Sequence, residues 1–140
     1  MDAAGIARAC ADRMWENDQA RRALGLTLDA IAPGEAVVSM RVRKDMLNSH
    51  GMCHGGFIFT LADCAFAYAC NSRDVSTVAQ NCSISFLVAG RLDDTLPAQA
   101  REVRLAGRSG IYDITVVRQD GVAIAEFRGL SRAIGGAILD

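Results

Sequence analysis

Hydrophobic residues follow two kinds of pattern along the chain, and the first predicts two helices. Residues 3–23 place apolar side chains at near-helical spacing among Arg, Asp and Glu, which predicts one amphipathic helix. Residues 57–70 are apolar on every side, and Asp63 is their only charge. This second segment is too long for a typical strand and predicts a central helix covered by other structure. The glycine pair Gly55 and Gly56 marks where it begins.

The other apolar segments alternate or form short runs, which is typical of β-strands. Two strands in a hairpin precede the central helix and four follow it, at residues 26–32, 35–42, 78–88, 96–105, 111–118 and 122–132. The Asp120-Gly121 pair is the strongest hairpin signal. This order predicts an α+β fold in which an antiparallel sheet of about five to six strands wraps round one long helix. Such a sheet exposes its edges, so we expect self-association.

Length, composition and charge narrow the class of protein. With 140 residues, 51% hydrophobic and 22% charged, the chain fits one domain spanning residues 1–140, with residues 1–24 as its N-terminal helix. The net charge of −1 and the scattered basic residues argue against nucleic acid as a partner. The central apolar segment is shorter than the ~18 residues of a membrane span, so we predict a buried helix and no membrane anchor.

The cysteines and histidines indicate neither disulfides nor a metal site. The five cysteines are an odd number, and residues 1–20 are too charged to resemble a signal peptide. We therefore expect a cytoplasmic protein with reduced thiols, and Cys64 and Cys70 in its core. His50, Cys53 and His54 lack a fourth ligand at a suitable spacing, which argues against zinc. We predict no metal and no cofactor.

Asp63 is the strongest chemical signal in the sequence. A carboxylate in an apolar helix is costly unless it is paired or functional, so Asp63 is a candidate site residue, although a buried Arg or a capped loop would also satisfy it. The helix start at Gly55 offers unpaired N–H groups to an oxyanion or a polarised carbonyl. Upstream, Asn48 is either a site residue or a turn residue, and His54 is either a substrate contact or a helix cap.

The segment from Asn48 to Asp63 also carries a combined motif. Its pattern N-x-x-G-x-x-H-G-G-x-x-x-x-L-A-D resembles that of the hotdog-fold acyl-CoA thioesterases, and most closely their PaaI-type branch associated with phenylacetate degradation. The likeness extends over about residues 24–136 and includes the YDI at 112–114 and the FRG at 127–129. It implies hydrolysis of a small aryl-acyl-CoA, such as phenylacetyl-CoA or its hydroxylated forms, to the free acid and coenzyme A. Coenzyme A is then part of the substrate and not a cofactor.

The resemblance implies a role for each residue of the motif. Asp63 would act as general base or as nucleophile toward the thioester, and the Gly55 N–H would bind the thioester carbonyl. Asn48 and His54 would fix substrate and water. These roles make physical sense, because a thioester carbonyl needs donors where negative charge develops, and partial burial makes a carboxylate more basic.

Coenzyme A needs a second contact region, for which the sequence offers one candidate. Arg108, Ser109 and Gly110 are predicted in a turn, where a guanidinium and backbone N–H groups could hold pantetheine or phosphate, as the resemblance also implies. An ordinary exposed hairpin explains the same residues equally well.

The spacing of Gly55 and Asp63 predicts a site shared by two chains. They are eight residues apart, which on a straight helix with a rise of 1.5 Å per residue is about 12 Å. This is too far for both to act on one carbonyl. We therefore expect a homodimer at least, with the active site between chains, and the resemblance extends this to a homotetramer formed by two dimers.

Two other functions and one uncertainty about the pocket stay open. The protein could be a non-catalytic acyl-CoA-binding hotdog protein, or a thioesterase for short- or medium-chain acyl-CoA. Phe57, Phe59 and Phe66 could line an aromatic pocket for the acyl group, or they could belong to the core.

Overall fold

One long helix and the sheet that covers it form the frame of the protein. The computed structural model describes residues 1–140. The helices are α1 (Ala3–Asn17), α2 (Gln19–Ala23) and α3 (Gly55–Cys70), with a short 3₁₀ helix at Lys44–Met46. The strands are β1 (Thr27–Ala32), β2 (Glu35–Arg41), β3 (Thr77–Phe86), β4 (Thr95–Ala106), β5 (Ser109–Val117) and β6 (Ala123–Ala133).

The strands form a single antiparallel sheet of six strands in the order β1-β2-β4-β5-β6-β3. The sheet curls round α3, whose buried side chains form the core together with the inner faces of β2, β4, β5 and β6. This confirms the predicted α+β fold with one central helix. β3 is an edge strand, and most of its residues are exposed. Its outer side has no pairing partner within the chain.

The ring of Phe66 lies at the closest approach between α3 and the sheet. It is 1% exposed, and its centroid is 5.5 Å from that of Tyr112 and 6.0 Å from that of Phe127. A Cβ atom on Gly129, in the middle of β6, would lie 2.6 Å from this ring. The glycine therefore leaves the space that the ring fills.

Asp18 divides the N-terminal segment, so the prediction of one helix over residues 3–23 was wrong. Its backbone is extended, and its Oδ1 accepts the Arg21 N–H at 3.1 Å as the N-cap of α2. Its Oδ2 accepts the Tyr68 hydroxyl at 3.1 Å and the Cys64 thiol at 3.7 Å. Asp side chains favour such caps over helix interiors, which explains the break. The same carboxylate attaches the N-terminal segment to α3.

The turn between β4 and β5 is shorter than predicted. Only Gly107 and Arg108 connect the strands, and Gly107 has φ +61°. Ser109 and Gly110 are the first residues of β5, paired with the end of β4. A tight hairpin with glycine in the left-handed region needs no longer loop. The predicted turn at Asp120-Gly121 is present between β5 and β6.

The five cysteines are free thiols, and burial keeps the two in α3 uncharged. Cys64 and Cys70 pack against the core. Burial raises the pKa of the Cys70 thiol to about 12 and raises the pKa of Cys64 as well. Such thiols are poor nucleophiles. None of the helices is long and apolar enough to cross a membrane.

Replacing Gly129 by Ala should lower the free energy of unfolding by about 1–3 kcal/mol, because the added methyl group overlaps the buried ring of Phe66. Equilibrium urea denaturation measures this loss. The double variant Gly129→Ala/Phe66→Leu should lose less than the sum of the two single losses, since the smaller side chain makes room. Additive losses would show that the steric explanation is incorrect.

Candidate functional site

The loop before α3 is held in one conformation by its own hydrogen bonds. The Oδ1 of Asn48 accepts the N–H groups of His50 at 2.9 Å and Met52 at 3.1 Å. The Asn48 N–H donates to the carbonyl of Met52 at 2.8 Å, and the His54 N–H donates to the carbonyl of Met46 at 2.7 Å. The side-chain oxygen of Asn48 therefore stabilises the turn. Its side-chain Nδ2 bonds no group of the chain and remains a free donor.

The first backbone N–H of α3 is also a free donor. His54 is the N-cap: its Nδ1 accepts the Gly56 N–H at 2.9 Å, and its carbonyl accepts the Phe57 N–H at 3.0 Å. The N–H of Gly55 donates to no group of the chain. It therefore lies unpaired at the positive end of the helix dipole.

Asn48 and Gly55 line the same cavity, which has a volume of about 390 Å³. Most of its other walls are apolar: Ile58 from α3, Met52 and Cys53 from the loop, and residues 86–90 after β3. A cavity with mostly apolar walls and a small number of polar groups is typical of binding sites for small organic ligands. Free N–H groups there can hold a carbonyl oxygen while the apolar part of the ligand fills the cavity.

The phenylalanines considered for an aromatic pocket do not line this cavity. Phe66 is in the core, and Phe59 packs on Phe127 with ring centroids 5.2 Å apart. Phe57 lines a different cavity. The aromatic residue of the cavity is Phe86. Its contact with the start of α3 depends on the path of β3 through space, so the sequence did not indicate it.

His54 lies outside the cavity of Asn48 and Gly55. It lines a second cavity of about 460 Å³ between α2 and the first turns of α3. Within one chain its ring caps the helix and holds the adjacent loop. Since Nδ1 accepts a hydrogen bond, the neutral imidazole carries its proton on Nε2. No group of three or more His, Cys, Asp or Glu side chains could hold a metal ion.

Asp63 lies two turns along α3 and lines neither cavity. Its carboxylate forms no ion pair, so the alternative of a buried Arg partner does not occur within the chain. Burial raises the pKa of this carboxyl group. Burial also raises the pKa of the Cys82 thiol on β3, and the negative charge of Asp63 adds to that rise. The same charge also raises the pKa of the Cys64 and Cys70 thiols on its own helix, so the carboxylate lies within electrostatic range of both α3 and the edge strand.

The residues predicted to hold coenzyme A lie at the opposite end of α3. Arg108 and Ser109 line a third cavity of about 150 Å³ with Cys70 and the start of β3. Arg108 forms no ion pair. Gly110 does not line this cavity, and a Cβ there would lie 2.8 Å from the Ser131 hydroxyl, so it is close-packed in the sheet. Within one chain, these residues and the loop before α3 therefore lie at opposite ends of the helix.

Comparisons with known proteins agree with this geometry. The model of the family described as "Thioesterase superfamily" matches residues 50–125. The chain therefore belongs to the thioesterase superfamily, as the motif predicted, and is a thioester hydrolase with the hotdog fold. It is 48% identical to "Acyl-coenzyme A thioesterase PaaI" of Escherichia coli (strain K12) over 128 residues, 91% of each protein.

Solved structures show the same similarity. The structure of E. coli PaaI from the phenylacetic acid degradation operon has a TM-score of 0.95 at 45% identity, covering 97% of this chain and 99% of that one. A mutant of PaaI from Thermus thermophilus has a TM-score of 0.80 at 40% identity, covering 84% and 100%. A Streptococcus mutans protein bound to acetyl-CoA has a TM-score of 0.77 at 28% identity, covering 80% and 90%.

Replacing Asp63 by Asn should stabilise the protein at neutral pH. Folding raises the pKa of Asp63, so ionising this group costs stability; the cost is absent below the unfolded pKa and fully present above the folded pKa. Thermal unfolding at a series of pH values should show a higher Tm for Asp63→Asn at pH 7, with the gain fading as the pH falls through the folded pKa. The exposed Asp12→Asn is the control and should show no gain. A lower Tm for Asp63→Asn at pH 7 would mean that the carboxylate is stabilised by a partner.

Proposed function

We propose that the protein is an acyl-CoA thioesterase that hydrolyses small aryl-acyl-CoA, such as phenylacetyl-CoA or hydroxyphenylacetyl-CoA, to the free acid and coenzyme A. The observation that carries this proposal is the pair of free donors, the Gly55 N–H and the Asn48 amide, in one apolar cavity. The names of the E. coli relative and of its operon support the reaction and the aryl substrate. The acetyl-CoA bound to the Streptococcus mutans relative supports coenzyme A as the thiol portion.

The geometry suggests how hydrolysis proceeds. The thioester carbonyl oxygen accepts the Gly55 N–H, which stabilises the negative charge that develops there; one such donor contributes about 3 kcal/mol. The amide of Asn48 orients the substrate or the attacking water. His54 acts through the loop, because capping the Gly56 N–H holds the neighbouring donor in place. The carboxylate of Asp63 either removes a proton from the attacking water or attacks the carbonyl carbon to form an anhydride that water then hydrolyses; its raised pKa makes it a stronger base. In both routes the C–S bond breaks and coenzyme A leaves as its thiol.

The position of Asp63 supports a site formed by two chains. In one chain, Asp63 is outside the cavity that contains Gly55, and the helix rise separates them by about 12 Å. The charge of Asp63 acts on Cys82 of β3, and the outer edge of β3 is unpaired within the chain. A second copy that pairs along β3 covers this edge and brings the carboxylate of one chain toward the donors of the other.

The direction of β3 supports a role for Arg108 and Ser109 in the same dimer. β3 begins beside their cavity and ends at Phe86, in the cavity of Gly55. A two-fold axis makes the paired β3 strands antiparallel, so the start of one lies against the end of the other. Arg108 and Ser109 of one chain then lie on the side of the cavity that receives the thioester in its partner. We assign them to the pantetheine or phosphates of coenzyme A, with Gly110 supporting them through the backbone.

The proposal also covers the assembly of two dimers and the cellular location of the protein. Exposed apolar side chains outside the β3 edge include Val103, Leu105 and Ile134. Burial of exposed apolar side chains such as Val103 and Ile134 would favour assembly of two dimers into a homotetramer. We place the protein in the cytoplasm, because a reducing compartment keeps its five cysteines as free thiols.

Asp63→Asn should lower kcat for phenylacetyl-CoA by about 100-fold or more, because the change removes the base or nucleophile and keeps the shape. Release of free coenzyme A thiol measures turnover, and calorimetric titration with a non-hydrolysable analogue should show retained binding. Asp12→Asn is the control and should turn over normally. If the unmodified protein binds acyl-CoA but releases no thiol, it is the non-catalytic binding protein instead.

Mixing two inactive variants tests the shared site. When Asp63→Asn and Asn48→Ala chains exchange subunits, each mixed dimer has one site with both residues intact, so a 1:1 mixture should recover about a quarter of the wild-type rate. Native mass spectrometry verifies exchange. A mixture of Asp63→Asn and Asp63→Ala is the control and should recover nothing. No recovery from the first mixture after verified exchange would place the whole site in one chain.

Phenylacetyl-CoA should exceed palmitoyl-CoA in kcat/KM by tenfold or more, a difference of about 1.4 kcal/mol in transition-state free energy. The cavity of about 390 Å³ has room for a short acyl group but ends at the loop before α3. Steady-state kinetics with phenylacetyl-, hexanoyl- and palmitoyl-CoA measure the order. A preference for hexanoyl-CoA would favour the medium-chain alternative, and a preference for palmitoyl-CoA would mean that the cavity is an open tunnel.

A further inference from the structure

The side chain of Phe86 meets the helix start at the point where the thioester carbonyl is proposed to bind. We propose that Phe86 determines specificity: its ring contacts the acyl group and gives the enzyme its preference for aryl over aliphatic acyl groups of similar size. This inference rests on the proposed function, because it takes the cavity of Gly55 to be the acyl site.

The ring of Phe86 touches the backbone that carries the free donor. A Cβ on Gly55 would lie 2.8 Å from Cζ of the ring and 3.2 Å from both Cε atoms. The tip of the ring is therefore directed at Gly55, and glycine is needed for that approach. Any acyl group whose carbonyl oxygen accepts the Gly55 N–H begins within reach of the ring.

The backbone at Phe86 is fixed by strand pairing and hydrogen bonds. Phe86 is the last residue of β3 and pairs with Ala125 of β6. Directly after it, the N–H groups of Leu87 and Val88 both donate to the carbonyl of Ile124, at 2.8 and 3.2 Å. Because its backbone is already ordered, Phe86 loses less conformational freedom when it contacts a ligand.

Within one chain, the ring is also exposed on the side of the cavity. Phe86 is 53% exposed and lines the cavity of about 390 Å³ together with Asn48 and Gly55. The other apolar walls are aliphatic or carry sulfur, so Phe86 is the one aromatic residue there. Aliphatic walls favour acyl groups by size alone, whereas two aromatic rings attract each other beyond the area they bury. Phe86 is therefore the residue of this cavity that can form an aromatic pair with an aryl acyl group.

The test compares kcat/KM for phenylacetyl-CoA with kcat/KM for hexanoyl-CoA, two acyl groups of similar length. Phe86→Leu should lower the ratio of these constants by about two- to tenfold, the range expected for one aromatic pair. Phe86→Tyr keeps the ring and should keep the ratio within twofold of wild type. Phe57→Leu makes the same change in the neighbouring cavity and should leave the ratio unchanged, whatever it does to the absolute rates.

Each result separates this inference from the proposed function. A Phe86→Leu variant that loses both activities in equal proportion would mean that the ring contacts the shared coenzyme A portion or only supports the fold, which overturns the inference and leaves the thioesterase proposal intact. A ratio that changes equally in Phe86→Tyr would also overturn it. If the wild-type protein hydrolyses neither thioester, the proposed function fails and the inference fails with it.

Discussion

A helix that is apolar on all sides must be covered on all sides, and one six-stranded sheet cannot do this alone. In this protein the sheet covers the faces of α3 that carry Leu61, Ala62 and Phe66, and the N-terminal segment reaches it at Tyr68. Other residues of α3, among them Thr60 and Asp63, stay partly exposed, and the outer edge of β3 is unpaired. The proposed dimer and the proposed role of Asp63 therefore depend on the same incompletely covered side of α3.

The start of the same helix carries one of the donors of the proposed site. A helix always begins with N–H groups that have no partner in the helix, and most proteins satisfy them with caps. Here the His54 side chain caps the Gly56 N–H, while Gly55 keeps its donor free beside an apolar cavity. A fixed donor of this kind needs no reorganisation when charge develops on a substrate. The fold thus places a donor and a carboxylate on one helix but at different distances from one cavity.

Much of this fold was predictable because its signals are local. Alternating apolar residues indicated the six strands, and the apolar run with one carboxylate indicated α3 and Asp63. The break at Asp18 was not predicted, since whether Asp caps a new helix depends on its bonds to Tyr68 and Cys64, which are distant in sequence. The division of the site between opposite ends of α3, and the contact of Phe86 with Gly55, depend on the path of β3 through space. The spacing along the chain could indicate that Gly55 and Asp63 lie apart. It could not indicate which side chains the fold places near Gly55.

The attachment of the N-terminal segment by Asp18 has a consequence for how such proteins diversify. α1 and α2 add no strand to the sheet, and they contact α3 by side-chain packing and through this one carboxylate. Residues of α2 nevertheless form one wall of the cavity beside His54. Because this segment adds no strand, its length and sequence can vary without any change in strand pairing. Such variation would alter the surroundings of the helix start and leave the six-stranded frame unchanged.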